Sequence, residues 1–343
     1  MQLQPTEKQW RTLYHLAGEF QKLAPWEWMW DSDIFSIENP KNKERGYCCV
    51  MGRNGEHFAF AVYRGTEGLE GFDRVASGEY LAKHPLAALH VQRCLMVSFE
   101  DRGQLKKNDI DSIKNLGLHF HGKNVWPLFR SYEPGYVPWY LTADEAEFLA
   151  VAIEQALSVA PRVKENQKML QKYDGEKFLT CKQTTKGEWS EQWLEPEPRE
   201  VDLTVAQPVP EKISQVKSIP RQQQILEVSS FFAPAPVDDM ARPYYPSVLL
   251  VVDHTSGFIM HTRVLEKKEP VHFRLPLEVV ALMEKWNSRP RQILVDQQEL
   301  FSALQHVGAH LDIKIELCDE LPMADQAQQS MYEFFTRDKS ARV

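Results

Sequence analysis

The feature that most constrains this chain is the run PSVLLVVD, residues 246–253, in which Val248 to Val252 are apolar without a break and the next residue is an acid. A run this short is a strand, because a buried helix needs about 10 residues or more, and its β-branched content suits a strand covered on both faces. Prolines precede it, and His254-Thr255-Ser256-Gly257 follows as a turn. Read this way, it is the central strand of a C-terminal domain and the next hundred residues are laid against it.

Downstream, Phe258 to Leu265 alternates and predicts a second strand through a tight turn, and Val271–Leu275 alternates and predicts a third. Pro276 then sits at a natural first helical position, with Val279, Val280, Leu282, Met283 and Trp286 as the packing face. A strand at Gln292–Val295 ends in Asp296, which is read as the N-cap of a helix that closes at Gly308. Ile313–Leu317 is a further strand, and Pro322 opens a last helix. The order βββαβαβα predicts a mixed five-stranded sheet whose crossovers bury both faces of its centre.

Upstream, the pattern predicts an α+β domain over residues 1–195. Thr6-Glu7-Lys8-Gln9 and Thr142-Ala143-Asp144-Glu145 are capping boxes for two helices with one apolar face each, the second ended or kinked by Pro161. Residues 46–64 read as a hairpin about Asn54-Gly55, Arg93–Phe99 as a buried strand, and Asn108–Leu116 as a short helix stopped by Gly117. Trp126–Tyr140 carries three prolines and belongs at a sheet edge or in a wrapped loop, and Lys177–Leu194 reads as a closing hairpin. Residues 196–243 are read as a proline-rich linker holding one extra strand at Gln224–Phe232, so the C-terminal domain spans 244–343.

Composition narrows the function classes. With 40 basic and 48 acidic residues the net charge is −8, which argues against a dedicated nucleic-acid binder. Five cysteines without a CxxC pair suggest buried free thiols rather than disulfides or a zinc ribbon. No window reaches the roughly 18 apolar residues of a membrane span and the N-terminus does not read as a signal peptide, so a cytoplasmic protein is expected. Several local features have a functional and a structural reading. The aromatic stretch Trp26–Ile37 is a core plug or a stacking platform, GTEGLEG a helix or a phosphate loop, and the residues around Arg130 a hydrophobic seam or a base-stacking surface. The pair His119 and His121 is half of a metal site or part of a loop.

The element order of residues 244–338 resembles the ribonuclease H-like fold, giving an α/β ribonuclease H-like domain behind the α+β domain. Catalytic members carry acids on the first strand, the first helix, the end of the fourth strand and the last helix; Asp253, Glu278, Asp296 and Asp325 match those slots here. The resemblance implies a phosphodiester site with two Mg²⁺ or Mn²⁺ ions about 4 Å apart, Asp253 and Asp296 being the metal ligands. Each acid also has a local reading, as turn former, helix cap or first-turn charge. PYYPSVLLVVDHTSG, RPRQILVD and the ELP before the last helix make the whole chain similar to bacterial two-domain proteins described only as domains of unknown function. The leading expectation is a non-catalytic binding or regulatory protein with a protein or nucleic-acid partner; the alternative is a metal-dependent nuclease using the four acids.

Overall fold

The computed structural model describes residues 3–78, 86–171, 177–198, 204–239, 241–265 and 270–340, with side chains to residue 335. The chain divides into two compact units, Met1–Arg199 and Glu200–Val343.

The first unit comprises α1 (Glu7–Leu23), β1 (Phe35–Glu38), β2 (Arg45–Met51), β3 (Ala59–Arg64), α2 (Gly65–Ser77), α3 (Ala87–Val91), β4 (Cys94–Glu100), α4 (Lys107–Asn115), β5 (Trp126–Tyr132), α5 (Ala143–Glu165), β6 (Phe178–Gln183) and β7 (Trp189–Leu194). Both long helices start at their capping boxes: the Thr6 and Thr142 side chains accept from the N–H groups of Gln9 and Glu145, whose side chains reach back. The strands form one sheet in the order β5-β4-β3-β2-β1-β6-β7, antiparallel except for the β1–β6 pair. β5, with Pro127 inside it, takes the edge, where a missing N–H costs no ladder bond.

The α1 stripe Leu13, Tyr14, Ala17 and Phe20 and the apolar face of α5 cover one side of this sheet. α5 continues through Pro161 to Glu165 instead of ending there, since Val159, Ala160 and Val163 are buried and the Trp28 indole donates to the Ala160 carbonyl at 2.9 Å. On the other side a smaller core gathers Tyr47, Cys49, Tyr63, Cys94 and Leu69 of α2. GTEGLEG is helical, and its glycines serve contact. A Cβ on Gly71 would stand 2.1 Å from the Val91 carbonyl, and one on Gly68 2.8 Å from that of Arg93, so α2 lies directly on this backbone. Burial pushes the thiols of Cys48, Cys49, Cys94 and Cys181 above the ordinary range, which makes them inert at neutral pH.

The second unit comprises α6 (Pro210–Lys217), β8 (Ile225–Phe232), β9 (Ser247–Asp253), β10 (Ile259–Leu265), α7 (Val271–Trp286), β11 (Gln292–Val295), α8 (Gln298–Leu311), β12 (Lys314–Leu317) and α9 (Pro322–Ser340). Its sheet runs β10-β9-β8-β11-β12; β8, β9 and β10 are antiparallel in sequence, and β8, β11 and β12 are parallel. α6, α7 and α8 supply the core on one face. Leu321 and Ala324, where α9 begins, pack on Leu250 and Val252 of the other.

Three expectations are corrected here. The central strand is β8, not PSVLLVVD, so residues assigned to a linker lie in the middle of the sheet and the C-terminal unit begins well before residue 244. Val271–Leu275 is the opening of α7, not a strand, and Pro276 lies inside that helix. Five alternating residues fit either state, and burial of Leu275 and Pro276 with Val279 and Val280 on one helical face decides it. α8 passes through Gly308 to Leu311 and ends at Asp312, which adopts φ 57°.

Candidate functional site

β8 places the most unusual side chain of the second unit. Leu226 and Val228 enter the core below α7 and α8, so the alternation turns Glu227 and Ser229 to the α9 face. Glu227 is fully buried at 0% exposure. A carboxylate survives there only if both oxygens are engaged. One oxygen lies 2.6 Å from Nδ1 of His254, and the other accepts the backbone N–H of Ala324 at 2.7 Å. Ala324 is the third residue of α9, so the carboxylate occupies the positive end of that helix and satisfies one of its orphan donors. His254 follows β9 directly, and its own N–H donates to the Ile225 carbonyl at 3.0 Å. The pair therefore joins the central strand, its neighbour and the last helix.

A buried carboxylate on one ring nitrogen fixes the orientation of an imidazole, and here His254 is 38% exposed, with Nε2 as the nitrogen not taken by Glu227. Glu227 lay in the stretch read as linker. The signal that would have found it was a single acid in the otherwise apolar and small-residue run ILEVSSFF.

The four acids chosen from the sequence are distributed differently. Asp253 pairs in register with Leu226 on β8 and so points to the α7 and α8 face. Its carboxylate accepts from Gln224 Nε2 at 2.8 Å, from the Ser256 hydroxyl at 2.8 Å and from the N–H groups of Ser256 and Thr255 at 2.9 and 3.1 Å. Burial opposes its ionisation, but the donors from Gln224, Ser256 and Thr255 outweigh it and hold the carboxyl below its ordinary value.

Asp296 follows β11, where the parallel register sets it across from Ser229, and Ser229 Oγ donates to its carboxylate at 3.1 Å. The α8 N-cap is Gln297, one residue beyond the expected cap, and it makes no side-chain capping bond. Glu278, on α7, is ion-paired with Arg263 of β10, and Asp325 lies in the first turn of α9.

The register shows how far apart Asp253 and Asp296 are. They flank β8 on opposite sides, three residues apart along it, which corresponds to roughly 14 Å between Cα atoms at ordinary strand spacings of about 4.8 and 3.3 Å. They also face opposite sides of the sheet. This does not fit two ions about 4 Å apart held by both residues. Among the described residues no group of three or more His, Cys, Asp or Glu side chains is placed to hold a metal ion.

In the first unit, residues 119–121 have no regular structure, and Phe120 packs between Tyr14 and Trp126 with ring centroids at 6.1 and 5.7 Å. Arg130 is buried, bidentate to Asp109 of α4 at 2.9 and 2.7 Å, and lies 4.7 Å above the Tyr140 ring.

These observations define a chain of two mixed α/β units, each built on its own sheet, with no helix among the described residues long and apolar enough to cross a membrane. Residues 10–181, half of the chain, match the family model described as Domain of unknown function (DUF7309), and the chain belongs to that family. Residues 212–332 match a second, described as Domain of unknown function (DUF6930), which begins in α6. No curated protein matches the chain.

Proposed function

We propose that this is a non-catalytic binding or regulatory protein of the bacterial cytoplasm, whose C-terminal unit is ribonuclease H-like with β8 as its first strand. The order β10-β9-β8-β11-β12, three antiparallel strands followed by helix, strand, helix, strand and helix, supports that assignment. On it, the acid within the first strand is Glu227 rather than Asp253. The observation that carries the non-catalytic reading is the engagement of Glu227, whose two oxygens are committed to His254 and to the start of α9. Ser229 holds Asp296 and Arg263 holds Glu278, so these acids serve the fold. The net charge of −8 favours a protein partner over nucleic acid.

The test is cleavage of single-stranded DNA, duplex DNA, RNA and an RNA–DNA hybrid by the purified full chain with Mg²⁺ or Mn²⁺, alongside thermal melts with and without each ion. The expected result is no cleavage above buffer and no ion-dependent rise in Tm, since an ion bound only by the native state would stabilise it by mass action. Metal-dependent cleavage that disappears in Asp296→Asn and in Glu227→Gln would overturn the reading.

A further inference from the structure

His306 and His310 stand one turn apart near the end of α8, and a spacing of four puts two side chains on the same helical face. Both are exposed, whereas Leu304, Val307, Gly308 and Leu311 of the same turns are buried. The two imidazole rings lie side by side, with centroids 4.2 Å apart. The backbone that carries them is held in place. A Cβ on Gly308 would stand 2.6 Å from the Ile315 side chain and 3.0 Å from the Ile313 carbonyl, so this turn rests directly on the chain entering β12.

The hydrogen bonding of the rings points to a ligand. Nδ1 of His310 lies 2.8 Å from the His306 carbonyl oxygen. A carbonyl only accepts, so Nδ1 carries the proton, and in the neutral ring Nε2 is left with a free lone pair directed away from the helix. One ring nitrogen donating to a backbone carbonyl while the other is free is the arrangement that orients metal-ligating histidines. Two nitrogens on one Zn²⁺ ion, each at about 2.0–2.1 Å and at a tetrahedral angle, are roughly 3.3 Å apart. Rings with centroids at 4.2 Å reach that separation by side-chain rotation, without movement of the helix. His310 also lies in the last turn of α8, where the free carbonyls form the negative end of the helix dipole and favour a cation.

We infer that His306 and His310 form a two-histidine chelate for a borderline divalent transition ion, Cu²⁺, Ni²⁺ or Zn²⁺. Nε2 of His310 and a ring nitrogen of His306 are its protein ligands, and water fills the remaining positions. The site is independent of the reading of Asp253, Glu278, Asp296 and Asp325, because imidazole suits these ions whereas Mg²⁺ prefers oxygen.

Ni²⁺ is the probe, titrated by isothermal calorimetry into the full chain in a non-coordinating buffer at slightly alkaline pH. The wild type is expected to bind it at least about tenfold more tightly than His306→Gln or His310→Gln, since the second imidazole is presented at high effective concentration once the first is bound. Both positions are exposed, so the melting temperature without metal should not change. Gln305→His combined with His306→Gln keeps the number of histidines but sets the pair five residues apart, off a common face, and should lose as much affinity as the single variants. His119→Gln with His121→Gln should leave the affinity at α8 as it is. A loss smaller than tenfold in either single variant or in the shifted pair, or a loss that follows His119 and His121 instead, would overturn the inference.

Discussion

Replacing Glu227 tests whether the buried carboxylate is the junction of the second unit. Glu227→Ala strips the partner from the Ala324 N–H, and an unsatisfied buried donor costs about 1–3 kcal/mol. It also removes the negative charge from the start of α9, a contribution of up to about 2 kcal/mol in a partly buried setting. Release from desolvation of the ion offsets part of this, so the net loss is roughly 3 kcal/mol. Glu227→Gln keeps an oxygen for Ala324 and offers an amide to His254, losing only the charge; about 1 kcal/mol or less is expected. Urea unfolding followed by far-ultraviolet circular dichroism, with amide exchange across α9, reads both quantities. Protection of the α9 amides should fall at least tenfold more in the alanine variant than in the glutamine variant, because 1.4 kcal/mol is a factor of ten. Equal losses in the two variants, or a loss under about 1 kcal/mol in Glu227→Ala, would show that the buried carboxylate does not hold the helix.

Two further outcomes follow from the geometry. Asp253 is held below its ordinary value of 3.8, so its stabilising contribution is complete above that pH and is lost as pH falls through the lower folded value; Asp253→Asn should remove that part of the acid sensitivity, and carbon-detected NMR showing Asp253 titrating at or above 3.8 would contradict the turn geometry. A fragment beginning at residue 240 lacks β8 and should be unfolded by amide dispersion in NMR, whereas one beginning at residue 200 should fold; a folded shorter fragment would mean that the sheet closes without its central strand.

Much of the local structure was legible from the residues because its causes are local. A threonine with a glutamine or glutamate three places on satisfies orphan helix donors whatever surrounds it, and α1 and α5 start where Thr6 and Thr142 predict. Asn54-Gly55 marks the turn between β2 and β3, where Gly55 takes a φ of +80°. Prolines around residue 127 exclude a central strand, and β5 is an edge. The unbroken run at Val248–Val252 is buried throughout.

Tertiary structure decided what depends on neighbours distant in the chain. Val271–Leu275 alternates well enough for a strand, but it begins α7, whose continuation buries Val279, Val280 and Met283. Ile225–Phe232, set among linker residues by its flanking prolines and charges, is central because β9 and β11 pair with its two edges. Glu227, His254 and Ala324 meet from three elements spread over almost a hundred residues. A strand carries its pleat in its own residues, but not the identity of the strands beside it. That choice rests on long-range burial and ladder bonds, and it alone brought the buried acid to the start of α9 while leaving Asp253 and Asp296 apart.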